Sequence, residues 1–160
     1  MRHFLQLSPP FGIFALCVTL LAACFHDDVD DYDVVRVGDA VPHFQIPLAD
    51  GTTYDSSLRD GRGATIIFFA TWCGDCQREL PRLDARYRAG EFDGQRVVCI
   101  GREESADVVE AFWREHNLSL PYSPQPDRAV FSLFASQGIP RIYSVSPDGK
   151  ITHVAQSVAP

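Results

Sequence analysis

Ala64-Thr65-Ile66-Ile67-Phe68-Phe69-Ala70-Thr71-Trp72-Cys73-Gly74-Asp75-Cys76 runs from an uncharged, β-rich stretch into a C-x-x-C pair. The first seven residues read as a buried central strand. Beyond the pair, Gln77 to Tyr87 carries Leu80, Leu83 and Tyr87 at the spacing of one helical face. Cys73 is therefore expected at a helix N-terminus, where unpaired backbone N–H groups and the helix dipole favour a thiolate. Cys76 follows three residues later, within reach of a disulfide. The arrangement suits thiol–disulfide exchange. A zinc site would need further ligands, and there is no second C-x-x-C or C-x-x-H to supply them. No metal and no cofactor is implied. A purely structural disulfide fits poorly at a strand-to-helix turn beside Trp72.

The chain of 160 residues, 46% hydrophobic, fits one globular domain with a core. Residues 1–23 stand apart from it. Met1-Arg2-His3 is a short basic start, Phe11 to Ala23 is apolar but too short to span a bilayer, and the stretch reads as a secretory signal. Leu21-Ala22-Ala23-Cys24 resembles the bacterial lipobox, which implies cleavage before Cys24 and lipidation of its thiol. Residues 24–36 are then a lipidated cysteine and a tether, with five aspartates in the seven positions from Asp27 to Asp33. The domain is expected over 37–160. Loss of Arg2 with the signal takes 14 basic side chains to 13 against 21 acidic, a net of −8. That balance argues against nucleic acid and against electrostatic adhesion to anionic lipid.

Phe44 to Leu48 reads as a short strand leading to the turn Asp50-Gly51, and Arg96 to Gly101 as the next buried strand. Ser105 is placed to cap a helix over 106–117 with Val108, Val109, Phe112 and Trp113 inward. Leu120 to Pro126 reads as irregular, and Asp127 as the cap of a short helix reaching Ala135. Residues 141–146 and 150–154 form a hairpin around Pro147-Asp148-Gly149. Cys99 falls mid-strand and reads as a buried apolar thiol.

Taken together, several short motifs resemble the thioredoxin superfamily, and within it the thiol–disulfide oxidoreductases of the TlpA/ResA type. They are Gly38-Asp39 with Pro42-x-Phe44, Asp50-Gly51, Phe69-Ala70-Thr71-Trp72-Cys73-x-x-Cys76, Glu79 with Pro81, Gly138-Ile139-Pro140 and Asp148-Gly149-Lys150-Ile151. The resemblance implies an α/β thioredoxin-like sandwich: a central mixed sheet flanked by helices, with an N-terminal β extension. It also implies Cys73 as nucleophile, Cys76 as resolving thiol, Glu79 as a proton-handling carboxylate, and Ile139-Pro140 as a cis-proline site that pairs with a bound peptide. Trp72 is expected to cover one side of the dithiol. Ile67 stands where ordinary thioredoxins carry a buried aspartate, and Arg141 where they usually carry threonine. Asp75 replaces the proline of many relatives and should push the neighbouring thiols toward protonation. Glu79 has a plainer reading as a solvated helix glutamate paired with Arg82 or Arg86.

The function implied is an envelope thiol–disulfide oxidoreductase, lipid-anchored in the periplasm or at the cell surface and acting mainly as a reductase. Its partners would be protein disulfide substrates, a membrane or envelope thiol reductant, and the membrane through its anchor. Two alternatives are a thiol peroxidase of the peroxiredoxin-like branch and a non-catalytic binding module. Ala70 occupies the threonine position of the Pro-x-x-x-Thr-x-x-Cys peroxidase signature. A C-terminal covering helix, usual in such relatives, is not expected, because only Ala155 to Pro160 follow the hairpin. Ile142, Val145, Ile151 and Val154 should then be exposed according to register. Their cover would come from a partner chain, a second copy, or residues 32–37.

Overall fold

The computed structural model describes residues 32–156. Strand β3 (Gly63–Phe69) lies at the centre of a five-stranded sheet, because Ile66, Ile67, Phe68 and Phe69 lose all contact with water on both faces. It runs parallel to β4 (Gln95–Gly101) and antiparallel to β6 (Arg141–Val145), with β5 (Tyr122–Ser123) and β7 (Ile151–Ala155) at the edges. A separate hairpin pairs β1 (Gln45–Pro47) with β2 (Thr53–Asp55). Helix α1 (Gly74–Arg88) follows β3, and α2 (Ala106–Glu115) follows β4. The architecture is a thioredoxin-like mixed sheet with an N-terminal β hairpin.

Side-chain alternation divides the core in two. Both helices pack on one face, where Leu80, Leu83, Val109, Phe112 and Trp113 meet Ile67, Phe69, Cys99 and Ile142. The opposite face gathers Ile66, Phe68, Val98, Ile100, Tyr143, Val145, Ile151 and Val154. Its cover comes from Val35, Val41, Phe44, Ile46, Phe131 and Phe134 rather than from a long helix. Tilted and edge-on rings around Phe68, Phe131, Phe134 and Tyr143 fill this layer.

Three local expectations are corrected. Helix α2 ends at Glu115, Val108 points to solvent, and the Ser105 side chain makes no capping hydrogen bond. Residues 122–123 form the edge strand β5, whose parallel pairing with Cys99 and Ile100 no local pattern announces. The helix expected from Asp127 to Ala135 shrinks to a 3-10 turn over Phe131–Leu133. The Phe134 carbonyl accepts from the Val34 N–H at 2.9 Å, and Ala135 forms a β-bridge with Asp33. The Phe134 carbonyl and the Ser136 N–H, which donates to the Tyr32 carbonyl at 2.8 Å, are thus committed to a distant segment and cannot carry a helix onward past Ala135.

That same segment decides the fate of the hairpin face. Ile142, Val145, Ile151 and Val154 are all buried, so none is exposed as expected. Val145, Ile151 and Val154 lie beneath Val35 and Val41, and Ile142 faces the helices. Residues ahead of Val37 are thus part of the packed fold. Among the described residues no helix follows β7. On the helix side, beside α1, a groove of about 280 Å³ runs past Thr65, Ser144 and His153. Its lining is mixed, with Leu83, Phe92, Ile142 and Ala155 beside the polar groups. No helix of the described residues is long and apolar enough to cross a membrane. The signal and Cys24 lie outside the described residues.

Candidate active site

Cys73 occupies the N-cap of α1 in extended backbone (φ −82°, ψ 114°), and its Sγ accepts the Cys76 N–H at 3.3 Å. A cysteine thus stands where serine, threonine or aspartate usually satisfies the first helical donors. The same Sγ lies 3.5 Å from the Ile139 carbonyl oxygen, to which the thiol donates. Ile139 precedes Pro140 through a cis peptide bond. The turn into the helix is held by the Cys73 N–H donating to the Ala70 carbonyl at 3.2 Å and by Gln77 Nε2 donating to the Thr71 carbonyl at 2.8 Å. Cys73 is half-buried, whereas Cys76 is fully buried against Leu80 and Phe69.

This asymmetry separates the chemistry of the two thiols. Burial, then the hydrogen bond with Cys73, pushes the Cys76 thiol well up; Asp75 adds the smallest of the contributions. The negative charge of Asp75 is largely answered by Arg78, which closes on it one turn along. Cys99 is also pushed up, chiefly by complete burial. All three are free thiols. Ile67 is buried at the place where an aspartate relay would otherwise stand.

The two raised thiols make stability depend on pH. In the unfolded chain they titrate near about 8.5. The unfolded state therefore loses these protons first as pH rises, and alkali favours it. Above that pH the reduced protein should lose about 1.4 kcal/mol per pH unit for each buried thiol. Urea unfolding between pH 7 and 10 under reducing conditions measures this, and Cys99→Val should roughly halve the slope. A stability flat across that range would contradict the burial of both thiols.

Glu79 is only 4% exposed, so it is not the solvated glutamate of the plainer reading. Arg82 does approach its carboxylate, at 3.8 Å, while Arg86 instead pairs with Glu91. Glu79 lines a cavity of about 300 Å³ with Asp75, Arg78, Ile139 and Pro140. The structure therefore gathers Cys73, Cys76, Glu79, Ile139 and Pro140 at one end of α1. Trp72 borders them differently than expected. It is 61% exposed, with the Arg102 guanidinium 5.9 Å from its ring centroid, so it offers an open indole face.

Glu104 is a site residue without a local sequence signal. Its buried carboxylate accepts the Thr71 N–H at 2.8 Å and also the Thr71 hydroxyl. It thereby pins the turn two residues before Cys73 from a loop far along the chain. Glu104→Ala should cost about 1–3 kcal/mol in urea unfolding, because it leaves the part-buried Thr71 N–H without its carboxylate partner. Glu104→Gln keeps an acceptor and should recover most of that loss. Equal losses in both variants would show that the hydrogen bonds to Thr71 are not what matters. Among the described residues, no group of three His, Cys, Asp or Glu side chains is placed to hold a metal ion.

The family model described as AhpC/TSA matches residues 37–154. This chain belongs to the AhpC/TSA family. Within it, the chain is similar to thiol-disulfide oxidoreductase ResA of Oceanobacillus iheyensis, 28% identical over 148 residues that cover 90% of this chain and 77% of that protein. ResA of Bacillus subtilis is 26% identical over 120 residues, covering 75% and 67%. A solved structure from Bacteroides thetaiotaomicron superposes with a TM-score of 0.71 at 28% identity, over 78% of this chain and 81% of its own. StoA from Bacillus subtilis shares the fold, with a TM-score of 0.66 at 22% identity over 76% and 92%. This AhpC/TSA protein, with its paired Cys73 and Cys76, is a thiol–disulfide oxidoreductase.

Proposed function

We propose that this protein is a reductase of protein disulfides in the cell envelope. The observation that carries the reading is the half-exposed Cys73 at a helix N-terminus, with buried Cys76 one turn behind it. The Cys73 thiolate attacks one sulfur of a target disulfide, forming a mixed disulfide and releasing the other target sulfur as a thiolate that takes up a proton. Cys76 gives up its proton and attacks the Cys73 sulfur. The target leaves as a dithiol, and the protein keeps the two-electron oxidised Cys73–Cys76 disulfide. A membrane or envelope thiol reductant restores the dithiol. Glu79, which faces the cavity beside the pair, is the carboxylate that takes the Cys76 proton. Trp72, Ile139 and Pro140 form the surface on which the target chain docks.

Reduction is favoured over oxidation because burial disfavours the Cys76 thiolate, and a dithiol that ionises reluctantly gives up electrons more readily. Insulin reduction by the full chain tests the reading. Turnover of hydrogen peroxide with no insulin activity would replace it with the peroxidase reading, to which the family description and the fold shared with peroxidoxin BcpB of Mycobacterium tuberculosis lend support. Against peroxidase chemistry stand Ala70 at the signature threonine and the commitment of the Thr71 hydroxyl to Glu104. No activity in either assay would favour a binding module.

The lipobox ending in Cys24 supports attachment to the membrane by acyl chains. Cys24→Ala should release the protein from the membrane fraction. Retention of that variant through high-salt and carbonate washing would remove the anchor from the proposal.

A further inference from the structure

Asp33 lies ahead of the residues that match the family, yet its side chain is completely buried. Its backbone is fastened in place. The Val34 N–H donates to the Phe134 carbonyl, and the Ser136 N–H donates to the Tyr32 carbonyl at 2.8 Å. Asp33 Oδ1 accepts from Arg141 Nη1 at 2.5 Å and lies 3.0 Å from the Tyr143 hydroxyl. Arg141, also fully buried, follows Pro140 directly in the chain.

The guanidinium of Arg141 is the centre around which the loop before it is wrapped. Arg141 Nε donates to the Gln137 carbonyl at 2.9 Å. Gly138 adopts φ +78°, and a side-chain carbon there would stand 3.2 Å from Arg141 Nη2. Ile139, next in the loop, places its carbonyl oxygen 3.5 Å from the sulfur of Cys73. A chain of direct contacts therefore joins Asp33 to the dithiol through one loop. A buried ion pair is a poor way to gain stability, since well-packed apolar residues of the same volume commonly do as well or better. What it supplies here is direction: a planar donor set, oriented by a carboxylate, that dictates where the Gln137 carbonyl must sit.

We propose that Asp33 and Arg141 form a buried clamp that positions the Gln137–Pro140 loop against Cys73, making residues ahead of the family domain part of the redox site. The inference rests on reading Cys73 as the nucleophile and this loop as the docking surface. Both residues are positioning residues, acting on the target through the loop.

The test uses the full chain with Asp33→Asn, the double variant Asp33→Leu with Arg141→Met, and Asp84→Asn. The last disturbs a different buried ion pair, Asp84 with Arg88 on α1. Insulin reduction gives KM and kcat, and iodoacetamide alkylation of Cys73 is followed against pH. The double variant should fold, because it removes both charges together. Its KM should rise by about 10-fold, within the roughly 10²-fold that a small misplacement can cost, and its Cys73 alkylation profile should shift. Asp33→Asn should move both in the same direction, and Asp84→Asn should move neither. A folded double variant with unchanged KM and Cys73 profile would overturn the clamp, as would an equal change in Asp84→Asn. Should neither clamp variant fold, hydrogen exchange in the unmutated chain decides. Val34 and Ser136 amides, bonded to the Phe134 and Tyr32 carbonyls, that open only with global unfolding support the clamp, and faster local opening overturns it. An unmutated chain that fails to reduce insulin counts against the functional reading alone, since the Cys73 profile and exchange remain measurable.

Discussion

Cys73→Ser should abolish insulin reduction, a loss of roughly 10³-fold or more, on the scale seen when a catalytic nucleophile is removed. Serine retains the N-cap hydrogen bond to the Cys76 N–H, so the helix and the fold should survive. The loss would then be chemical. Its counterpart is Cys76→Ala, in which the mixed disulfide on Cys73 forms and cannot be resolved, so target proteins should accumulate as covalent adducts that dithiothreitol releases. In the unmutated reduced protein, iodoacetamide should label Cys73 far faster than Cys76 or Cys99 near neutral pH, since both of those are buried and pushed toward the neutral thiol. Equal labelling of all three, or insulin reduction surviving in Cys73→Ser, would remove Cys73 from its role.

Glu79→Gln should lower the rate of disulfide exchange by about 10²-fold, the lower end of what a positioned acid or base contributes. The substitution keeps the shape of the side chain beside Ile139 and Pro140 while removing its titrating group. Stability should change far less than rate. The decisive reading is the pH–rate profile, which should lose one limb in the variant. A rate that falls with an unchanged profile would mean that Glu79 serves only to shape the cavity and hold Arg82 at 3.8 Å. Such a result would leave proton transfer from Cys76 to solvent.

Much of this site is local, and that is why it can be read from residue order. A strand, a turn and a helix consecutive in the chain place Cys73 and Cys76 one helical turn apart, so the spacing of the motif already carries the geometry. The burial of β3 is equally legible, because its seven residues carry no charge and only Thr65 brings a hydroxyl. Pro140 beside the dithiol was legible only through family resemblance, since no periodicity brings residues 73 and 139 together. Glu104, Asp33 and Arg141 are of another kind. Each is an ordinary charged residue whose place depends on partners 33 to 108 positions away. In the sequence Asp33 is one more member of an acidic run; in the fold its side chain is wholly buried.

Residue order alone places the dithiol, its helix and the central strand, since each is written in neighbouring residues and their spacing. Tertiary structure decided which side of the sheet needs cover and what supplies it. Register turns Val145, Ile151 and Val154 toward Val35 and Val41, and leaves Thr65, Ser144 and His153 along the groove beside α1. It also decided that the turn at 131–133 would not run on as a helix, because the Phe134 carbonyl and the Ser136 N–H bond to Val34 and Tyr32 instead. Burial of a carboxylate or a guanidinium is a property of its surroundings, and only packing between distant segments can tell a solvated charge from a clamp.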